Sequence, residues 1–140
     1  FIIIKMKTQL VFFDTHEEGM KGTLRGFVCI TILILLDLIW FQIMDYEPIL
    51  TKEVNYVSAF ITYLLLCSAI SVQLPSSLKE AAVYGMLVGL VTYGVFNGTS
   101  YSINKDWTIS ISIFDTLWGM FICSFSASIL YFIFHKEKSA

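Results

Sequence analysis

Charged residues are scarce in this sequence. Only 14% of its 140 residues are charged and 56% are hydrophobic, whereas a soluble domain usually has about 25% charged residues. So few charges could not cover the apolar surface in water. The formal net charge of -2 also argues against nucleic acid as a partner, because phosphate binding requires a basic surface. We therefore expect an integral membrane protein.

Residues that perform catalysis or hold metals are also few. The two histidines, His16 and His135, lie in the predicted tails, and no CxxC, HExxH, GxSxG or P-loop pattern occurs. The three cysteines are odd in number and lie in apolar runs, so we expect free, buried thiols at Cys29, Cys67 and Cys123. We therefore predict no enzyme activity, no catalytic residue, no metal site and no cofactor.

Apolar sequence is abundant, and it falls into four segments. They cover about residues 26–44, 54–75, 79–101 and 107–134. Each is close to or longer than the roughly 20 residues with which an α-helix crosses a hydrocarbon core of ~30 Å. The connections are short, which favours antiparallel neighbours. We predict an all-α integral membrane domain over residues 26–134, with four transmembrane helices in an antiparallel bundle.

Two tails flank this domain. Residues 1–25 are predicted to form an N-terminal arm, extended or interfacial, with a partly ordered tail as the alternative, and residues 135–140 a C-terminal tail. Seven of the nine Lys and Arg residues fall on the side of the two termini. We therefore expect both termini on the cytoplasmic side, or on the equivalent side of an organelle. Three aromatic residues near span ends are typical of the membrane interface: Tyr46, Tyr101 and Trp107.

Two acidic residues interrupt the apolar segments, and each begins the same pattern. Asp37 begins DLIW, which ends at Trp40, and Asp115 begins DTLW, which ends at Trp118. Positions i and i+3 are neighbours on a helix, so each indole N–H is predicted to donate to the carboxylate of its own helix. At about 1.5 Å per residue, the two carboxylates lie roughly 10 and 12 Å from the outer side of the membrane.

The matched depths predict one intramembrane polar layer. Asn97 and Thr99, near the outer end of the third segment, are predicted to extend towards it. Two interpretations of the layer are open. Paired carboxylates that share a proton would form a proton or cation site. Alternatively, the polar groups join the helices by hydrogen bonds worth about 0.6 kcal/mol each. We favour the second, because no Lys, Arg or His lies in the interior of the spans to complete a charge relay.

Small residues form stripes on the third and fourth segments. Gly85 and Gly89 have GxxxG spacing. At about 3.6 residues per turn, one narrow arc of the fourth segment contains Ser112, Asp115, Gly119, Cys123 and Ser126. Small faces let helix backbones approach closely in lipid. We therefore predict helix packing through Gly85, Gly89, Gly119 and Ser126, with Asp115 inside the bundle.

The stretch YGVFNGTSYSINKDWTISISIFDTLWG, from Tyr93 to Gly119, together with LLDLIW in the first span, resembles the bacterial membrane-protein family called domain of unknown function 2177. The resemblance covers about residues 26–134 and implies a four-span protein with no assigned activity. The matching positions are Asp37, Trp40, Tyr93, Thr99, Trp107, Asp115, Trp118 and Gly119. Asn97 departs from the family's usual aspartate and Ser100 from its usual asparagine, and the arm of residues 1–25 is additional.

An acid lost and an arm added would suit a protein recruited into a larger assembly. We therefore expect a structural or accessory subunit of a membrane protein complex, with other membrane proteins and lipids as partners. An organellar inner membrane or a viral membrane suits this role. The alternative is a small proton- or cation-coupled transporter that uses the Asp37–Asp115 pair, and a homo-oligomer is compatible with it.

Overall fold

The computed structural model describes residues 16–43, 55–72 and 75–135, with side chains for 21–43, 55–72 and 75–134. Every regular element in these ranges is an α-helix, which confirms the predicted all-α class. The four helices are α1 (His16–Ile43), α2 (Tyr56–Val72), α3 (Leu78–Ile103) and α4 (Ile109–His135). By length and composition, α1, α3 and α4 are able to cross a membrane, whereas α2 is apolar but has 17 residues.

The first helix begins earlier than the hydropathy pattern predicts. It starts at His16 rather than near residue 26, so residues 16–25 of the predicted arm continue the first span as a helix. The sequence of this part, HEEGMKGTLR, is too polar for a hydropathy pattern to count as part of a span. Residues 1–15 of the arm and 136–140 of the tail lie outside the described residues, so those predictions stay predictions.

Side-chain hydrogen bonds at the N-terminus of α3 define where this helix starts. The Ser77 hydroxyl accepts from the backbone N–H of Glu80 at 3.2 Å. The Glu80 carboxylate in turn accepts from the backbone N–H of Ser76 at 2.9 Å and from its hydroxyl at 2.6 Å. This reciprocal arrangement satisfies backbone donors that the helix itself leaves unpaired. It therefore ends the preceding connection and begins α3 at a defined residue.

A tight turn joins α3 to α4. The backbone N–H of Asn104 donates to Ser100 O at 2.8 Å, and the Asn104 side chain accepts from the N–H of Asp106 at 3.1 Å. The Thr108 hydroxyl then accepts from the N–H of Ile111 at 3.2 Å and caps the start of α4. The turn therefore returns the chain beside α3 and places Trp107 at the mouth of the α3–α4 pair.

Glycines let α3 and α4 pack backbone against backbone. A methyl group added at Gly85 would meet the carbonyl oxygen of Cys123, and one added at Gly89 would meet that of Gly119. One added at Gly119 would overlap the ring of Tyr93. Such approach is open only to small residues. Ser126, on the same side of α4, is fully buried.

Apolar side chains and three cysteines form part of the interior of the bundle. The outer surface is also apolar. Cys29, Cys67 and Cys123 are buried and free, as the sequence predicts. Large apolar side chains are exposed on all four helices, for example Phe27, Val57, Leu87 and Phe132. Helices that are apolar on every side belong in a nonpolar surrounding.

Candidate functional site

Two carboxylates lie inside the bundle, one on the first helix of the chain and one on the last. Asp37 on α1 is 8% exposed and Asp115 on α4 is 7% exposed. A buried carboxylate is strongly unfavourable unless hydrogen bonds compensate for the water that it has lost. The identity of its donors therefore decides what each carboxylate does.

Each aspartate accepts a hydrogen bond from the tryptophan of the other helix. Trp40 Nε1 on α1 donates to Asp115 Oδ1 at 2.9 Å, and Trp118 Nε1 on α4 donates to Asp37 Oδ1 at 3.3 Å. The prediction that each indole donates to the carboxylate of its own helix is therefore wrong. The partners run in opposite directions along the two helices, so α1 and α4 are antiparallel. In that arrangement the three-residue spacing sets each tryptophan level with the opposite aspartate.

The two exchanged indoles also contact each other. The rings of Trp40 and Trp118 are stacked, with centroids 4.7 Å apart and planes inclined by 8°. Stacking fixes both rings in the plane from which their N–H groups reach the carboxylates. The two hydrogen bonds and the stack thus form one unit between α1 and α4.

The remaining carboxylate oxygens accept from α2 and α3. The Tyr63 hydroxyl on α2 donates to Asp37 Oδ2 at 2.7 Å. The Asn97 Nδ2 group on α3 donates to Asp115 Oδ2 at 2.8 Å. All four carboxylate oxygens therefore act as acceptors, and each of these four hydrogen bonds comes from a neutral side chain on a different helix from its acceptor.

Asn97 connects this set to the α3–α4 turn. It is 1% exposed, and its Oδ1 accepts from Trp107 Nε1 at 3.2 Å. Its Nδ2 group also lies 2.9 Å from Tyr93 O and 3.3 Å from Thr116 Oγ1. An amide both donates and accepts, whereas an ionised carboxylate only accepts. Asparagine is therefore suited to a position between an indole N–H and a carboxylate.

The structure brings together five of the six residues predicted for the polar layer and leaves one outside. Thr99 is exposed on α3, because two residues of helix turn it to the opposite side from Asn97. We name the assembled side chains the polar network: Asp37, Trp40, Tyr63, Asn97, Trp107, Asp115 and Trp118.

Sequence reasoning missed two members of the polar network. Tyr63 lies in mid-span, where a phenol hydroxyl needs an acceptor, and that need was a usable signal. Trp107, predicted as an interface aromatic, is 8% exposed, packs edge-on against Phe96 at 5.6 Å and donates inward to Asn97.

Among the residues that the structure describes, no group of three or more His, Cys, Asp or Glu side chains is placed to hold a metal ion. The donors that face the two carboxylates are indole, phenol and amide groups. These hydrogen bonds connect side chains of different helices.

The comparisons with known proteins agree with a membrane-embedded chain. Residues 23–132 match the model of the family described as Predicted membrane protein (DUF2177). No curated protein and no solved structure matches the chain. The matched range includes every residue of the polar network. The chain therefore belongs to the family of predicted membrane proteins called domain of unknown function 2177.

Proposed function

We propose that this protein is a structural or accessory subunit of a larger membrane protein assembly, and that its polar network holds the four helices in one arrangement. One observation carries the proposal: each helix contributes to a single set of hydrogen bonds around Asp37 and Asp115. A rigid bundle with an apolar outer surface offers neighbouring membrane proteins a fixed shape to pack against.

The hydrogen bonds of the two carboxylates support a fixed role for them. A group that carries a proton or a cation has to exchange partners during transport, whereas here each carboxylate oxygen already has a donor from another helix. Breaking these bonds would leave buried polar groups unpaired, at about 1–3 kcal/mol for each group. Holding the helices together is therefore the role that these contacts serve best.

A pair of isosteric substitutions tests the structural role. Asp37→Asn and Asp115→Asn keep the shape of the side chain but replace one acceptor oxygen by an NH2 donor. This donor then faces another donor, the N–H of an indole or an amide or the O–H of a phenol. We expect both variants to unfold at lower temperature than the wild type in the same detergent. An unchanged unfolding temperature in both would contradict a role in holding the bundle.

The accessory role has a test of its own. The protein, extracted from its native membrane with a mild detergent, should migrate with other membrane proteins at a size well above that of its 15.9 kDa chain. The same preparation after a harsh detergent, in which the chain is released, provides the size control. Migration as a single chain or as a small homo-oligomer in the mild detergent would overturn the subunit proposal.

The alternative function is a small proton- or cation-coupled transporter. It is favoured by one observation, the burial of two carboxylates within one network inside apolar helices, where acidic residues are costly and often functional. It requires that Asp115→Asn abolish flux in proteoliposomes while the folded protein is retained. Wild-type protein that supports no proton or cation flux would exclude this alternative.

A further inference from the structure

A basic side chain lies at the end of the bundle far from the polar network. Arg25 on α1 is partly buried, and its guanidinium carbon lies 5.0 Å from the centre of the Phe134 ring at the end of α4. Twelve residues separate Arg25 from Asp37, about 18 Å along the helix. The two sites are therefore distinct.

The contact with the Phe134 ring positions the Arg25 guanidinium without using the hydrogen-bond donors of Arg25. A guanidinium over an aromatic face is attracted by the ring's π-electrons and forms no hydrogen bond with the ring. Arg25 Nε is buried and has no hydrogen-bond partner among the described residues. Because a buried donor without an acceptor is unfavourable, a rotation of the side chain that brings Arg25 Nε to an acceptor gains free energy.

A second positive charge stands on the same side of α1. Lys21 is exposed and lies one turn before Arg25, at the i−4 position. A guanidinium and an ammonium one helical turn apart, directly before the apolar part of α1, together attract anions. A planar fork of N–H donors matches two oxygens of one phosphate.

We propose that Arg25, seated on Phe134 where α1 meets α4, binds the phosphate of an anionic phospholipid headgroup. The phosphate reaches the partly exposed end of the guanidinium, and a turn of the side chain towards the headgroup offers it the Nε edge as well. Phosphatidylcholine is a poorer ligand, because its quaternary ammonium is repelled by Lys21 and Arg25. This site is separate from the subunit role proposed above and does not depend on it.

The probe is phosphatidylglycerol, compared with phosphatidylcholine of the same acyl chains. The full chain in neutral detergent is titrated with each lipid, and the bound lipid is counted by native mass spectrometry. We expect the wild type to prefer phosphatidylglycerol, and Arg25→Gln to lose about fivefold of that preference, the contribution of one basic residue near a membrane surface. Arg25→Lys should retain only part of it, because the charge remains while the planar fork is lost.

The matched control is Lys105→Gln, which removes one positive charge from the turn at the other end of α4 and should leave the preference unchanged. Equal binding of the two lipids by the wild type would overturn the proposal, and so would an equal loss in Lys105→Gln and Arg25→Gln. A further arm replaces the lipid with inorganic phosphate and follows the unfolding temperature. Stabilisation by inorganic phosphate with no preference for phosphatidylglycerol would identify free phosphate, not lipid, as the ligand.

Discussion

At the scale of single residues, the exchange of donors between Trp40 and Trp118 determines which substitutions depend on each other. Trp40→Phe keeps an aromatic ring in the stack but removes the N–H that Asp115 accepts. The cost of this change should therefore depend more strongly on residue 115 than on residue 37, although Asp37 is nearer in sequence.

Double-mutant cycles of unfolding in detergent measure this dependence. We expect Trp40→Phe to couple with Asp115→Asn by at least about 0.5 kcal/mol, and to couple less strongly with Asp37→Asn, which Trp40 reaches only through its stack on Trp118. Trp118→Phe supplies the mirror test, with coupling to Asp37→Asn. Stronger coupling within one helix than between the two would contradict the exchanged geometry.

Asn97 provides a second prediction at this scale. Asn97→Asp would place a carboxyl 2.8 Å from Asp115 Oδ2, where the wild type has an N–H donor. Two ionised carboxylates cannot occupy this space, whereas a protonated one again donates. We expect the variant to unfold at lower temperature than the wild type at neutral pH and to recover part of the loss on acidification. Asn104→Asp, in the α3–α4 turn and away from both carboxylates of the polar network, is the control, and an equal response in both variants would argue against a specific clash.

At the scale of the elements, close packing of α3 and α4 depends on particular glycines. Gly89→Ala would push a methyl group into the backbone of Gly119, whereas Gly98→Ala, on the same helix, meets nothing within 4 Å. Overpacking typically costs about 1–3 kcal/mol, and alanine at an open helix position gains up to about 1 kcal/mol over glycine. We therefore expect a large loss of stability for Gly89→Ala and none for Gly98→Ala, measured by thermal unfolding in one detergent. Equal stability of the two variants would show that the helices are able to separate without cost.

The elements were also the part that the sequence predicts best. Length and hydropathy are local properties, so α3 and α4 begin and end within about two residues of the predicted segments. The start of α1 was missed, because residues 16–25 are helical but too polar for the hydropathy pattern to include. That hydrogen-bond donors would surround Asp37 and Asp115 was predictable, because a buried carboxylate requires them.

Pairing within the network was not predictable in the same way. The i, i+3 spacing brings Asp37 and Trp40 together on one helix, but it does not predict which residues of another helix will face them. The exchange depends on the antiparallel setting of α1 against α4, and Tyr63 enters from α2 through a contact between helices. Such contacts depend on the rotation and depth of whole helices, for which one sequence contains no local signal.

At the scale of the whole molecule, the distribution of Lys and Arg predicts the orientation in the membrane. Lys79 at the start of α3 and Lys105 in the α3–α4 turn are both exposed and lie at opposite ends of the bundle. We expect Lys79→Cys to react with a membrane-impermeant thiol reagent only after the membrane is opened, and Lys105→Cys to react in intact vesicles or cells of native orientation. Each variant removes one lysine, so the pair is matched in charge, and the three native cysteines are buried. The reverse pattern of labelling would invert the predicted orientation.

The stacked indoles also give the protein an optical signature. Only three tryptophans are present, and two of them lie 4.7 Å apart with nearly parallel planes. Chromophores at this separation share their excited states, so the pair should produce a two-signed band in near-ultraviolet circular dichroism that neither indole produces alone. Since one ring comes from α1 and the other from α4, the band should disappear when those helices part, even while each stays helical. Circular dichroism could thus follow the docking of the first span onto the last in the unmodified protein, without an added label.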